Sequence, residues 1–149
     1  MTSRKSRYQS GIVLLEAMIA IMIFSFGILG LLGVQANAVK IVLAAKNRAD
    51  ASNLVDQIVG QMWADRPNLA NYAHMAVPGA SPCTPGGAAS ANANVINWVS
   101  LVSATMPGAT AMTQQITVAA GNVVTVTVCW QLPQETTPHN FSETAQING

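Results

Sequence analysis

Gly11-Ile12-Val13-Leu14-Leu15-Glu16 opens an apolar run that reaches Val34, and the fold turns on how this stretch is read. From Ile12 to Val34 every residue is apolar or small except Glu16 and Ser25. At about 1.5 Å per residue the run makes a helix about 35 Å long. That length crosses the ~30 Å hydrocarbon core of a bilayer with some tilt. A carboxylate at the centre of a membrane helix costs on the order of 2.5 to 3.5 kcal/mol, so Glu16 needs a place near the interface or a partner. Its position in the first turns permits both.

The residues before the run are basic at Arg4, Lys5 and Arg7. A basic leader before an apolar stretch also describes a secretory signal peptide, but this run is longer than an h-region of about 7 to 15 residues. Only Gln35-Ala36-Asn37-Ala38 offers a weak small-x-small boundary. Counting positive charges leaves orientation open, because Lys40, Lys46 and Arg48 beyond the run match the leader in number. Of the 149 residues, 9% are charged and 50% hydrophobic, a balance that fits a membrane-anchored chain. The net charge of +1 depends on the leader: without its three cations, four basic side chains face six acidic ones. That acidic balance gives no electrostatic reason to expect a nucleic-acid partner.

Beyond the span, Val34, Ala38, Ile41, Ala45, Ala49, Ser52, Val55, Val59 and Met62 recur at steps of three and four. This is the period of an amphipathic helix, so the helix is expected to continue to Arg66-Pro67. Lys40, Asn47, Asp50, Gln57 and Gln61 fall off the stripe and read as a solvated face, with Lys46 and Asp50 placed to pair at i, i+4. Gly27, Gly30 and Gly33 lie on nearly one face. They serve as a close-packing surface for another helix, as a weak point, or as glycines a membrane helix simply tolerates.

Residues 68–93 turn to Pro, Gly, Ala, Ser and Asn and read as a loop. Asn94 to Met106 regains helical period through Val95, Trp98, Leu101 or Val102, with Asn94 as the expected N-cap and Pro107-Gly108 as the stop. Trp98 is expected in the core. Two strands follow at Gln114–Val118 and Val123–Gln131, joined by a turn at Ala120-Gly121-Asn122. In the second, Val124, Val126, Val128 and Trp130 share one face and should pack on the helix, leaving Cys129 on the less buried side, where a loop bearing Cys83 could reach it. The polar tail holds a weak edge strand from Asn140 to Ile147.

No catalytic constellation, phosphate loop or metal-ligand spacing stands out: His74 and His139 are isolated, and Asp50, Asp56 and Asp65 lie along the helix. The reading is therefore noncatalytic, with no cofactor and no metal. Asn140-Phe141-Ser142 matches a glycosylation acceptor by chance as readily as by function.

Gly11, the apolar residue after it, and Glu16 at the fifth position beyond the glycine resemble the prepilin signature of type IV pilins and type II secretion pseudopilins. Ser25-Phe26-Gly27-Ile28-Leu29-Gly30-Leu31-Leu32-Gly33-Val34-Gln35, the absence of proline in the long helix, and Met106-Pro107-Gly108 after a Trp-bearing helix are similar to the PilV-type minor pilins. The resemblance implies an α+β fold: a long N-terminal helix, membrane-spanning over 12–34 and amphipathic over 35–66, packed on a small antiparallel sheet with one extra helix in a head at 67–149. It implies that a prepilin peptidase removes residues 1–11 by cutting between Gly11 and Ile12, and methylates Ile12, although Ile12 departs from the family's usual Phe. It implies that Glu16 pairs with the methylated N-terminus of an adjacent subunit. The implied partners are other minor and major pilins, the peptidase, the inner-membrane assembly platform and the membrane itself, with the head in the periplasm before incorporation in the pilus.

For Cys83 and Cys129, disulfide or separate thiols are both open, and an exported chain favours oxidation. The bridge would close a loop of about 45 residues, worth on the order of 4 kcal/mol. The function implied is a minor pilin that primes or caps a type IV pilus. The alternatives are a minor pseudopilin of type II secretion, a pilus-displayed adhesin, and a signal-anchored periplasmic protein.

Overall fold

The computed structural model describes residues 10–133 and 135–148. The leader residues 1–9, with Arg4, Lys5 and Arg7, lie outside the described residues. The chain is α+β: a long helix α1 (Ser10–Ala64), a 3-10 segment (Arg66–Tyr72), a short helix α2 (Ala93–Thr105) and an antiparallel sheet of β1 (Gln115–Ala119), β2 (Val123–Trp130) and β3 (His139–Gln146) in the order β1-β2-β3. By packing, it divides into a first unit ending at Ala44 and a second beginning at Ala45.

In the first unit α1 is apolar all round from Ile12 to Val34 apart from Glu16 and Ser25, and its large apolar side chains from Ile12 to Leu43 lie open. Such a helix is stable in a membrane or inside an assembly, where its whole circumference meets apolar surroundings. It is the one described helix long and apolar enough to cross a membrane. Exposed apolar side chains recur beyond Val34 at Val39, Ile41, Val42 and Leu43, interspersed with Gln35, Asn37 and Lys40. Ser25 hides its hydroxyl by donating to the Ile21 carbonyl at 2.7 Å, which satisfies its one polar group within the helix.

In the second unit the buried stripe of α1 is Asn47, Ala51, Leu54, Val55, Ile58 and Met62. The expected stripe is right at Val55 and Met62, whereas Ala45 and Ala49 are exposed and Ser52 and Val59 half-buried. The cause is size: only the rotation that buries Leu54 and Ile58 removes the larger apolar area from water. That rotation carries Asn47, expected on the solvated face, down to 8% exposure. Lys46 and Asp50 do pair, at 3.1 Å, on the open side.

The helix ends at Ala64, and Pro67 enters the first turn of the 3-10 segment, where its missing N–H costs nothing. The expected loop over 68–93 is thus partly ordered, by this segment and by backbone bridges His74–Ile116 and Val77–Gly86. Asn92 caps α2 by accepting the Asn94 N–H at 2.8 Å, so the cap lies two residues before the expected Asn94. Leu101 is exposed, and Val95, Trp98, Val99 and Val102 form the buried face. Gly108 has φ +63°, and a Cβ there would meet the Gln131 carbonyl oxygen at 2.5 Å, which is why this stop demands glycine.

The β1–β2 hairpin turns through Gly121 and Asn122, both at positive φ. Val124, Val126, Val128 and Trp130 face α1 and α2, completing a core with Ile116, Tyr72, Leu69 and Ile147. β3 is not weak. All eight of its residues pair with β2, from Trp130–His139 to Val123–Gln146. Phe141 and Ala145 pack on the core from its inner face.

Candidate functional site

The Gly11–Ile12 bond lies within α1, in helical backbone. Glycine is a poor helix former, which lowers the cost of unwinding the backbone at Gly11. Ile12 and Glu16 are four residues apart and therefore lie on one face, one turn from each other. Both are exposed. The ion pairs among the described residues are Lys46–Asp50 and His139–Glu135, and neither involves Glu16. A Cβ added at Gly27, Gly30 or Gly33 would meet nothing within 4 Å, so no contact within the chain asks for glycine at these three positions.

In the head the structure joins Cys83 to Cys129 in a disulfide, with Cα atoms 5.6 Å apart. Cys129 points away from the valine face, as expected, and the loop bearing Cys83 reaches it there and leaves it 1% exposed. Two neighbours cover it: the segment carrying Cys83, and Gln114, whose side chain is fully buried. The Gln114 carboxamide accepts the Cys129 N–H at 2.9 Å and donates to the Cys129 carbonyl at 3.1 Å. It thereby supplies the ladder bonds that β1, which starts one residue later, does not reach.

His74 is not isolated. It is 4% exposed, its backbone exchanges both ladder bonds with Ile116, and its Nδ1 accepts the Ser90 N–H at 3.1 Å. With Nδ1 an acceptor, the proton sits on Nε2 and is donated to the Ala111 carbonyl at 2.9 Å. One neutral imidazole thus ties the entry to α2 to the start of β1. Tyr72 and Trp98 anchor the other side. The Trp98 Nε1–H donates to the Leu54 carbonyl at 2.7 Å, joining α2 to α1. The Tyr72 hydroxyl accepts from Asn94 Nδ2 at 2.8 Å and donates to Asp65 Oδ2 at 3.2 Å, while Asn68 Nδ2 donates to Asp65 Oδ1 at 2.7 Å. Burial pushes the Tyr72 phenol above its ordinary value; the Asp65 charge and its hydrogen bond add to this, and the Asn94 bond opposes it.

Asp65 is therefore a bracket for the helix end. Among the described residues every buried side-chain nitrogen and oxygen has a partner. No three His, Cys, Asp or Glu among them converge as a metal site. His139 stacks on Trp130 with centroids 5.7 Å apart and meets Glu135, forming an exposed pair at the sheet's end. Gln114 shows in the sequence only as a polar residue at the margin of an apolar strand pattern, and His74, in a stretch that reads as a loop, carries no local signal.

Thus the site residues fall in two groups. Gly11, Ile12, Glu16 and the three glycines lie along the open apolar half of α1, and the cysteines close the head. Comparisons with protein-family models, with curated proteins and with solved structures find no match.

Proposed function

We propose that this chain is a noncatalytic minor subunit of a type IV pilus, anchored in the inner membrane by α1 and presenting its head in the periplasm before it joins the fibre. The observation that carries this reading is the division of one continuous helix: an exposed, predominantly apolar half with a single carboxylate one turn from the Gly11–Ile12 bond, and a second half that buries one stripe in a disulfide-closed head. A helix so divided can leave lipid for the interior of a fibre without disturbing the head, since both surroundings cover apolar surface.

Cleavage after Gly11 would place a new ammonium at Ile12. Glu16, a carboxylate costly in lipid, then has a cation to neutralise it on an adjacent subunit, and the two desolvation costs are offset together. Intact mass of the protein from membranes with and without a prepilin peptidase tests the processing step. The expected loss is residues 1–11 with the gain of one methyl, and an unchanged mass refutes it. Glu16→Ala should be processed normally yet be absent from sheared fibres on blots. A deletion strain that loses exoprotein secretion and keeps twitching would assign the chain to type II secretion instead.

A further inference from the structure

Between Arg66 and Glu135 the chain carries no Asp, Glu, Lys or Arg. In ordinary soluble domains about a quarter of the residues are charged. The head's charges sit on α1 and its C-terminal end, at Glu135 and at Glu143. Its sheet consequently has an outer face without charge. Strand alternation places Gln115, Thr117, Thr125, Ser142, Thr144 and Gln146 on the side away from the core, whereas Glu143, opposite Val126, belongs to the inner side.

One end of this face is covered. Gln115 Nε2 donates to the Met75 carbonyl at 2.9 Å, and Thr127 and Cys129 are buried beside the disulfide. At the other end Thr117, Thr125 and Thr144 stand in register across three strands, with Ser142 and Gln146 flanking Thr144. Thr125 and Thr144 hydroxyls are 2.9 Å apart, and Ser142, Thr144 and Gln146 are exposed. Strands about 4.8 Å apart, with same-face residues about 6.8 Å apart along each, make a lattice of hydroxyls and carboxamides. Every member can both donate and accept.

The composition selects the occupant. Protein interfaces concentrate aromatic residues, Met and Arg at an apolar centre, and this open end has only Ala119 and Val123 between its polar groups. A nucleic acid, an anionic lipid surface or an acidic polymer would find no countercharge. A neutral chain of repeated hydroxyls matches both the charge and the hydrogen-bonding repertoire.

We propose that the open end of the outer sheet face, built from Thr117, Thr125, Ser142, Thr144 and Gln146, binds a neutral polysaccharide through salt-independent hydrogen bonds. Each bond contributes modestly in water, so retention comes from several made at once along an extended polymer.

The test is adsorption of the full chain, held in lipid nanodiscs, to suspended cellulose and chitin, with alginate as an anionic polymer. Retention on a neutral polymer should be equal at low and high salt and should exceed that on alginate. Thr144→Lys should weaken it about tenfold, equivalent to about 1.4 kcal/mol, with an unchanged melting temperature of the head. Ser100→Lys, on the exposed side of α2, should leave it unaltered. The proposal is overturned if neither neutral polymer retains the protein, if retention falls with salt or favours alginate, or if the two lysine variants behave alike. Concentration-dependent self-association abolished by Thr144→Lys would assign the face to a second copy and overturn it as well.

Discussion

The two halves of α1 obey different rules although no break separates them. From Gly11 to Val34 the helix is apolar on every side apart from Glu16 and Ser25, and among the described residues nothing covers it as far as Ala44. From Ala45 to Ala64 it is apolar on one stripe, with Lys46, Arg48, Asp50 and Asp56 off that stripe. In the first half, apolar composition matches a surrounding medium, and no particular side chain is required to fit a particular hole. In the second half it fills a core, where shape and volume are felt at the level of a methylene. The difference teaches where substitutions should be tolerated and where they should not, and it is open to direct attack.

The largest effect should come from the disulfide. Cys83→Ser with Cys129→Ser, or a strong reductant, should destabilise the head by about 4 kcal/mol, given a closed loop of 46 residues in separation. Near-ultraviolet circular dichroism, which reports the packed tryptophans, should show the loss, while far-ultraviolet helicity from the membrane half persists. Joint melting of both signals would break the comparison. Ile58→Ala, in the core, should cost about 3 kcal/mol. Ile28→Ala, chemically the same change in the open half, should shift the head's unfolding by less than about 0.5 kcal/mol. Equal effects in urea titrations would show that the halves are one packing unit.

A smaller loss, about 2 kcal/mol, is expected for Gln114→Ala, because the Cys129 N–H and carbonyl would lose their buried partner. Amide exchange at Cys129 should rise well before that of Val126. The smallest effect is pH-dependent. The folded Tyr72 phenol titrates above its unfolded value of about 10. Its contribution is therefore fully present below about pH 10 and is lost as pH rises from there through the folded value, since the unfolded chain gives up the proton first. Alkaline melts should show this fall in the wild type and less of it in Tyr72→Phe.

Much of this architecture is legible in local pattern. The run from Ile12 to Val34 announces a membrane-length helix by length and composition, and the alternation from Val123 to Trp130 announces a strand whose valine face packs inward, as it does. The helix around Trp98 shows in its period. The less legible parts share one property: their outcome depends on residues far away in the chain. Nothing near Asn92 and Asn94 says which one caps α2. The choice follows from Asn94 being engaged by Tyr72, 22 positions away. Polar β3 reads as weak by composition, yet β2 offers a full-length edge and the core accepts Phe141 and Ala145.

For the site, the sequence by itself determined the Gly11-Ile12 and Glu16 spacing, the glycine positions and the presence of two cysteines, because spacing along a helix and composition are local properties. Tertiary structure alone decided the rest. It turned the stripe of α1 toward Leu54 and Ile58, buried Cys129 against Cys83 and Gln114, made His74 a neutral tie between two segments, and left one end of the sheet's outer face uncharged and open. The physical reason is the same in each case. Burial and hydrogen-bond satisfaction are settled between groups that meet only when the chain is folded, and a polar residue beside an apolar pattern carries no mark of which partner it will find.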